Sequence, residues 1–171
     1  FATETRDLLA DFATTSRPLT GNPELRGEML ILPSGETSMV QIASNLPTDN
    51  YDLQIHVNRF SESGPMLIAF PVGDETALAI IDLQQKDGAI QLSGISNLDD
   101  HNIDDPNYAP MAYHGTVLPE RISVKLNFRV TKQTVTILSN DLVIFRLRGN
   151  PDRITYPDDQ YPRPEPATIS L

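Results

Sequence analysis

The chain contains no cysteine and no tryptophan, and aromatic residues make up only 6% of its 171 positions. Without thiols there are no disulfides and no cysteine-based metal or redox centre. Without tryptophan the best sugar-stacking platform is missing, which leaves Tyr108, Tyr113, Tyr156 and Tyr161 as the candidates. Positive charge is also scarce. Lys plus Arg is 13 against 23 for Asp plus Glu, a formal net charge of −10. That balance argues against nucleic acid and against anionic membrane surfaces, both of which call for basic patches. No apolar run approaches the roughly 18 residues of a membrane-spanning helix. No signal peptide is visible. Phe1 is not a methionine, so the native N-terminus, with any export signal, is expected to lie outside this chain.

Catalytic signatures are missing as well. There is no G-x-S-x-G, no phosphate-cradling glycine loop, no H-E-x-x-H and no dinucleotide fingerprint. No strand carries the E-x-D-x-E type of carboxylate triplet that would seat the acid and nucleophile of glycoside hydrolysis. His56, His101 and His114 are scattered, with no H-x-x-x-H spacing for a metal.

What is present is strand pattern. Hydrophobic residues at 39% and charged residues at 21% suit one globular domain with a sizeable core. From Arg121 to Arg146, Ile122, Val124, Leu126, Phe128 and Val130 alternate with polar residues, the period of a strand with one buried face. Thr131-Lys132 and then Ser139-Asn140-Asp141 punctuate two further apolar runs, which predicts a three-stranded antiparallel meander. Tyr51 to Phe60 alternates equally well, with Leu53, Ile55 and Val57 on one side and Gln54, His56 and Asn58 on the other. Met66 to Val72 is almost continuously apolar, as expected of a strand covered on both faces. Thr76 to Leu83 and Ala89 to Ile95 continue a rhythm of about ten residues, that of a sandwich or barrel. Thr3 to Ala13 is expected as a short helix. Ser96 to Gly115 is expected as a long functional loop, and Ala167 to Leu171 as a last edge strand.

These pieces, from YDLQIHVNRF through MLIAFPV and TALAIIDLQQKDGAIQLSGI to RISVKLNFRVTKQTVTILSNDLVIF, resemble the concanavalin A-like (LamG-like) jelly-roll domains of bacterial surface and exported proteins. The likeness covers roughly Met29 to Tyr156. Where that family's hairpin carries Asp-Gly, this chain has Asn140-Asp141, and Phe145 or a neighbour stands in place of its Trp. The resemblance implies an all-β fold, an antiparallel two-sheet β-sandwich of jelly-roll type. The expected division is a lead-in over residues 1–27 and the sandwich over 28–171.

Function is expected to be non-catalytic recognition by an exported or cell-surface bacterial protein, as part of a larger polypeptide. A neutral glycan or a protein is the expected partner. A glycan-cleaving domain and a purely structural spacer are the alternatives. The candidate ligand-binding residues are Gln54, His56, Asn58, Tyr108, Tyr113 and His114, since amides and imidazoles hydrogen-bond sugar hydroxyls. On the neighbouring strand Lys125, Asn127 and Arg129 would lie beside the first three. Asp99, Asp100, Asp104 and Asp105 form an acidic cluster with the hard oxygens calcium needs, although the glycine of a regular calcium loop is missing.

Overall fold

A computed structural model describes residues 4–10, 12, 17–20, 23–32, 39–43, 45–61, 64–85, 88, 90–108, 111–164 and 169–171, with residues 17–20 and 39 described by backbone alone. The first strands are β1 (Arg17–Thr20), β2 (Glu24–Arg26), β3 (Met29–Ile31), β4 (Met39–Ala43), β5 (Tyr51–Asn58) and β6 (Met66–Val72). Next come β7 (Glu75–Gln84), β8 (Gln91–Ile95), β9 (Asn97–Leu98), β10 (His101–Asn102) and β11 (Tyr113–His114). The last are β12 (Ser123–Thr131), β13 (Thr134–Ser139), β14 (Leu142–Arg148), β15 (Ile154–Thr155) and β16 (Ile169–Ser170).

The fold is an all-β sandwich of antiparallel sheets. A seven-stranded sheet runs β1-β4-β16-β6-β7-β8-β11, and a four-stranded sheet runs β14-β13-β12-β5. A small sheet β10-β9-β15 and the hairpin β2-β3 complete it. The two large sheets meet through the ring of Phe70 on β6 and that of Phe128 on β12, with centroids 5.0 Å apart and planes tilted by 57°. Both rings are fully buried. A tilted aromatic pair of this kind adds about 0.5–1.5 kcal/mol beyond its apolar burial.

The meander predicted from alternation is present. Strand β12 pairs β13, and β13 pairs β14, all antiparallel. The second turn is made by Asn140 and Asp141, at φ 45° and 71°. Asn and Asp are the non-glycine residues that best tolerate this left-handed geometry, which a type I′ hairpin turn needs at both central positions. Asn140 also ties the turn back to β12, since its Oδ1 accepts the Lys125 backbone N–H at 2.9 Å. The first turn sits one residue later than the sequence suggests, at Lys132 and Gln133. Thr131 Oγ1 holds it by accepting the backbone N–H of Thr134 at 3.0 Å.

Strand β5 docks on the other edge of β12 in a register that places Leu53 opposite Phe128, Ile55 opposite Leu126 and Val57 opposite Val124. The six apolar side chains expected to share an interior therefore do share one face. A slip of one residue would turn all of them to solvent, so burial itself holds the register. Strand β6 is buried along nearly its whole length, in keeping with its unbroken apolar sequence.

The expected N-terminal helix is described only in part, and three other sequence expectations change. Among the described residues of the expected N-terminal helix, Leu8–Ala10 form a turn, and Phe12 is helical, its backbone N–H donating to Leu9 O at 3.1 Å. Asp7 Oδ1 captures the backbone N–H groups of Leu9 and Ala10. Thr3, Asp11 and Ala13 of that stretch lie outside the described residues. Strand β1 pairs with β4, so the large sheet reaches back to Arg17, inside the expected lead-in. The long segment after Ser96 is not structureless: it contains β9, β10 and β11. Strands of two residues are too short to show any periodicity. Finally, β16 is no edge strand, since it lies between β4 and β6. Its Ile169 and Ser170 are buried because neighbours flank them on both sides.

One tie was not foreseen. Strand β7 bulges at Asp82, whose φ is 61° and which lies at a register shift against β8. The backbone N–H of Asp82 donates to Ser93 Oγ at 2.9 Å. Its carboxylate is fully buried and accepts the backbone N–H groups of Val117 and Leu118 at 2.7 and 2.8 Å. Arg59 Nη1 stands 3.4 Å away. A buried carboxylate persists only when it is paired and hydrogen-bonded, and this one is both. It fastens the segment before β12 to the large sheet.

A candidate ligand-binding sheet face

The four-stranded sheet buries one face and turns the other outward. The alternation that points Leu53, Ile55 and Val57 inward points Gln54, His56 and Asn58 outward, and all three are exposed. The register sets His56 opposite Lys125, Gln54 opposite Asn127 and Asn58 opposite Ser123. Cross-strand partners stand about 5 Å apart at Cβ, close enough for one ligand group to touch both. Gln54 Nε2 lies 2.9 Å from His56 Nε2. The amide N–H donates there, to an unprotonated ring nitrogen, since an amide nitrogen only donates. Asn127 is half-buried, and its Oδ1 is shielded from solvent with no hydrogen-bond partner among the described residues.

Charged side chains flank these amides. Arg129 Nε approaches Asp52 Oδ1 at 3.3 Å, and Lys125 Nζ approaches Asp141 Oδ1 at 3.5 Å. Strand β5 is the free edge of the sheet, and an open groove follows it. Gln54, His56, Asn58, Leu46, Met66 and Leu67 are among the residues that line it.

The remaining expected site residues lie elsewhere. Tyr108 is only 2% exposed, packed in the core beneath Gly94. Burial pushes its phenol well above the usual range, and its ring offers no open stacking face. Tyr113 and His114 form β11, at the far end of the large sheet from β1. Tyr113 is half-buried and lies against Gly115. His114 borders a small hollow with Gln84, Gln91 and Thr116. The face thus brings together three of the six expected ligand residues, Gln54, His56 and Asn58, while β11 and the core hold the other three.

The acidic cluster is put to local use. Asp99 and Asp100 form the turn of the β9–β10 hairpin, at φ 53° and 62°. Asp99 receives a forked pair of hydrogen bonds from Arg153, one of them from Nε at 2.9 Å. The Arg153 guanidinium holds the Asp99 carboxyl below its usual range. Asp105 accepts the backbone N–H of Asn107 at 2.7 Å, and His101 Nδ1 lies 3.3 Å away. The backbone bond to Asn107 is the main cause of its lowered pKa. Among the described residues, no three His, Asp or Glu side chains converge as a metal site.

Alternation had marked Lys125, Asn127 and Arg129 as neighbours of the β5 polar side. The arginines further along the same face, Arg146 and Arg148 on β14, went unnoticed as site residues. Their signal was their spacing of two on an apolar strand. The chain matches no family model, no curated protein and no solved structure.

Proposed function

We propose that this protein is a non-catalytic recognition module that binds a glycan across the outer face of the β5-β12-β13-β14 sheet. The observation that carries this is the β5–β12 register, which lays Gln54, His56 and Asn58 against Asn127, Lys125 and Ser123 on one exposed surface. Such a row offers donors and acceptors to sugar hydroxyls without folding a loop to do so, and a rigid sheet loses little entropy on binding. The sandwich is taken to be of the concanavalin A-like jelly-roll type. Its two facing sheets and the return of the C-terminal β16 to the middle of the larger one support that assignment. An exported or surface setting, within a larger polypeptide, belongs to the same proposal.

The test is a panel of polysaccharides incubated with the purified protein and assayed both for retention and for new reducing ends. Retention without reducing ends, weakened by Gln54→Ala with Asn58→Ala, is the expected result. Release of reducing ends would place the protein among glycan-cleaving enzymes instead. Retention unchanged in the double variant would move the site off this face.

A further inference from the structure

The net charge of −10 hides an opposite local charge. Between Arg121 and Gly149 there are six basic residues and a single acid, Asp141. Five of the six lie on the four-stranded sheet or its first turn. Three are matched by carboxylates: Arg129 by Asp52, Lys125 by Asp141, and Lys132 by Asp49 at 3.7 Å. Arg146 and Arg148 are not, for no ion pair holds either of them among the described residues. Both are exposed, and both share the outward side with the amide row, because Arg146 pairs across β13 with Thr136 and Arg148 with Thr134. Thr136 in turn faces Arg129, so Arg129, Thr136 and Arg146 form one cross-strand row. The Cα atoms of Arg146 and Arg148, at alternate positions of one strand, stand roughly 7 Å apart.

We infer that the ligand of this face is an anionic polysaccharide, bearing carboxylate or sulfate groups, with Arg146 and Arg148 as the residues that select its charge. This rests on the proposed recognition role of the same face. None of the outward side chains on the four strands is Phe, Tyr or Trp; the only ring among them is the His56 imidazole, and the exposed Phe60 lies beyond the end of β5. A neutral sugar therefore finds no broad ring platform at the centre of the face and would depend chiefly on hydrogen bonds that water also offers. An acidic sugar adds charge-assisted bonds to arginine, which are about twice as strong as neutral ones. The same lack of a broad ring platform disfavours single-stranded nucleic acid, whose bases need stacking platforms. On these strands the exposed large apolar side chains are Leu142 and Val143, with half-buried Leu138 beside them, all next to the β13–β14 turn. A protein partner would find no central anchor there. Whole-chain acidity had pointed to a neutral partner, and the segregation of charge on the folded surface reverses that.

The experiment uses two polyanions and their uncharged counterparts: polygalacturonate with its methyl ester, and dextran sulfate with dextran. A single-stranded oligonucleotide forms a further arm. Affinity electrophoresis is run on the unaltered protein, on the double variant Arg146→Ser with Arg148→Ser, and on Arg163→Ser, an exposed arginine outside the groove along β5, as a control. Both altered arginines of the double variant are exposed, so its melting curve should match the parent. The expected result is retention by both polyanions, at least roughly tenfold weaker retention by the neutral forms, and a loss of about tenfold or more in the double variant. Retention should fall as salt rises, and Arg163→Ser should behave as the parent. Equal retention by the methyl ester and polygalacturonate overturns the charge inference while leaving the recognition module standing. So does a double variant that binds as the parent does. Equal or tighter binding of the oligonucleotide replaces the polysaccharide as the ligand class. Retention by no polysaccharide removes both proposals together.

Discussion

Replacing Asp82 by alanine removes a carboxylate that is fully buried and has three partners. The backbone N–H groups of Val117 and Leu118, at 2.7 and 2.8 Å, each lose a charge-assisted acceptor. Such bonds contribute about 1.5–3 kcal/mol apiece. Arg59, whose side chain is 13% exposed, loses its counter-ion, and breaking a buried pair costs about 3–5 kcal/mol. These losses overlap, because one carboxylate serves all three partners. A non-glycine residue at φ 61° adds roughly 1–2 kcal/mol once no side-chain bond compensates. The expected total is about 4–6 kcal/mol, a large share of the roughly 5–15 kcal/mol that holds a domain folded. For a chain of this size that lowers Tm by about 10–20 °C. Two further variants separate the contributions. Asp82→Gly relieves the backbone strain but keeps the lost bonds, so it should fall about 1–2 kcal/mol short of the alanine effect. Asp82→Asn keeps one acceptor oxygen and points an amide donor at the other N–H, and should be the mildest of the three. Urea unfolding followed by far-UV circular dichroism gives the order. Amide hydrogen exchange should show Val117 and Leu118 losing protection first. If alanine and glycine both remain within about 0.5 kcal/mol of the parent, or if those two amides keep their protection, the clamp does not do what its geometry implies.

Phe128→Ala should cost about 3–5 kcal/mol, since the ring is fully buried against Phe70, and an unchanged urea midpoint would remove it from the shared core. Asp141→Gly should stabilise the β13–β14 hairpin by about 0.5–1 kcal/mol, because glycine adopts φ 71° without strain; a lower Tm would show that the Lys125 contact outweighs the turn. The Asp99 carboxyl is held below its usual range by Arg153, so its contribution is present above the unfolded-state pKa and is lost as pH falls through the folded one. The difference in Tm between the parent and Arg153→Ala should therefore be present at neutral pH and shrink in acid, and a pH-independent difference would contradict it. If the hairpin from Asp99 to Asp105 holds calcium, millimolar Ca²⁺ should raise Tm and EDTA should reverse the rise; superimposable curves would leave those aspartates to Arg153 and the local turns.

Much of the fold was legible in the sequence because strand alternation is a local property. The inward set of Leu53, Ile55, Val57, Val124, Leu126 and Phe128, the Asn140-Asp141 turn and the doubly covered β6 all follow from residue type and spacing within a few positions. Burial of one face leaves a strand only one workable orientation. What lay beyond it depends on residues far apart in the chain. Asp82 reads as one more polar residue near a strand end until Val117 and Leu118 arrive 35 and 36 positions later. Tyr108 sits in a polar stretch and suggests an open ring, yet Gly94 and its neighbours enclose it. Ala167 to Leu171 reads as a last edge strand until β4 and β6 close on either side of β16. Composition set the net charge, but charge is recognised where it is displayed. Only the pairing of β14 on β13 shows Arg146 and Arg148 facing the same way as the amides of β5. Local pattern determines which side of a strand is wet, and tertiary packing alone decides which wet sides become one surface.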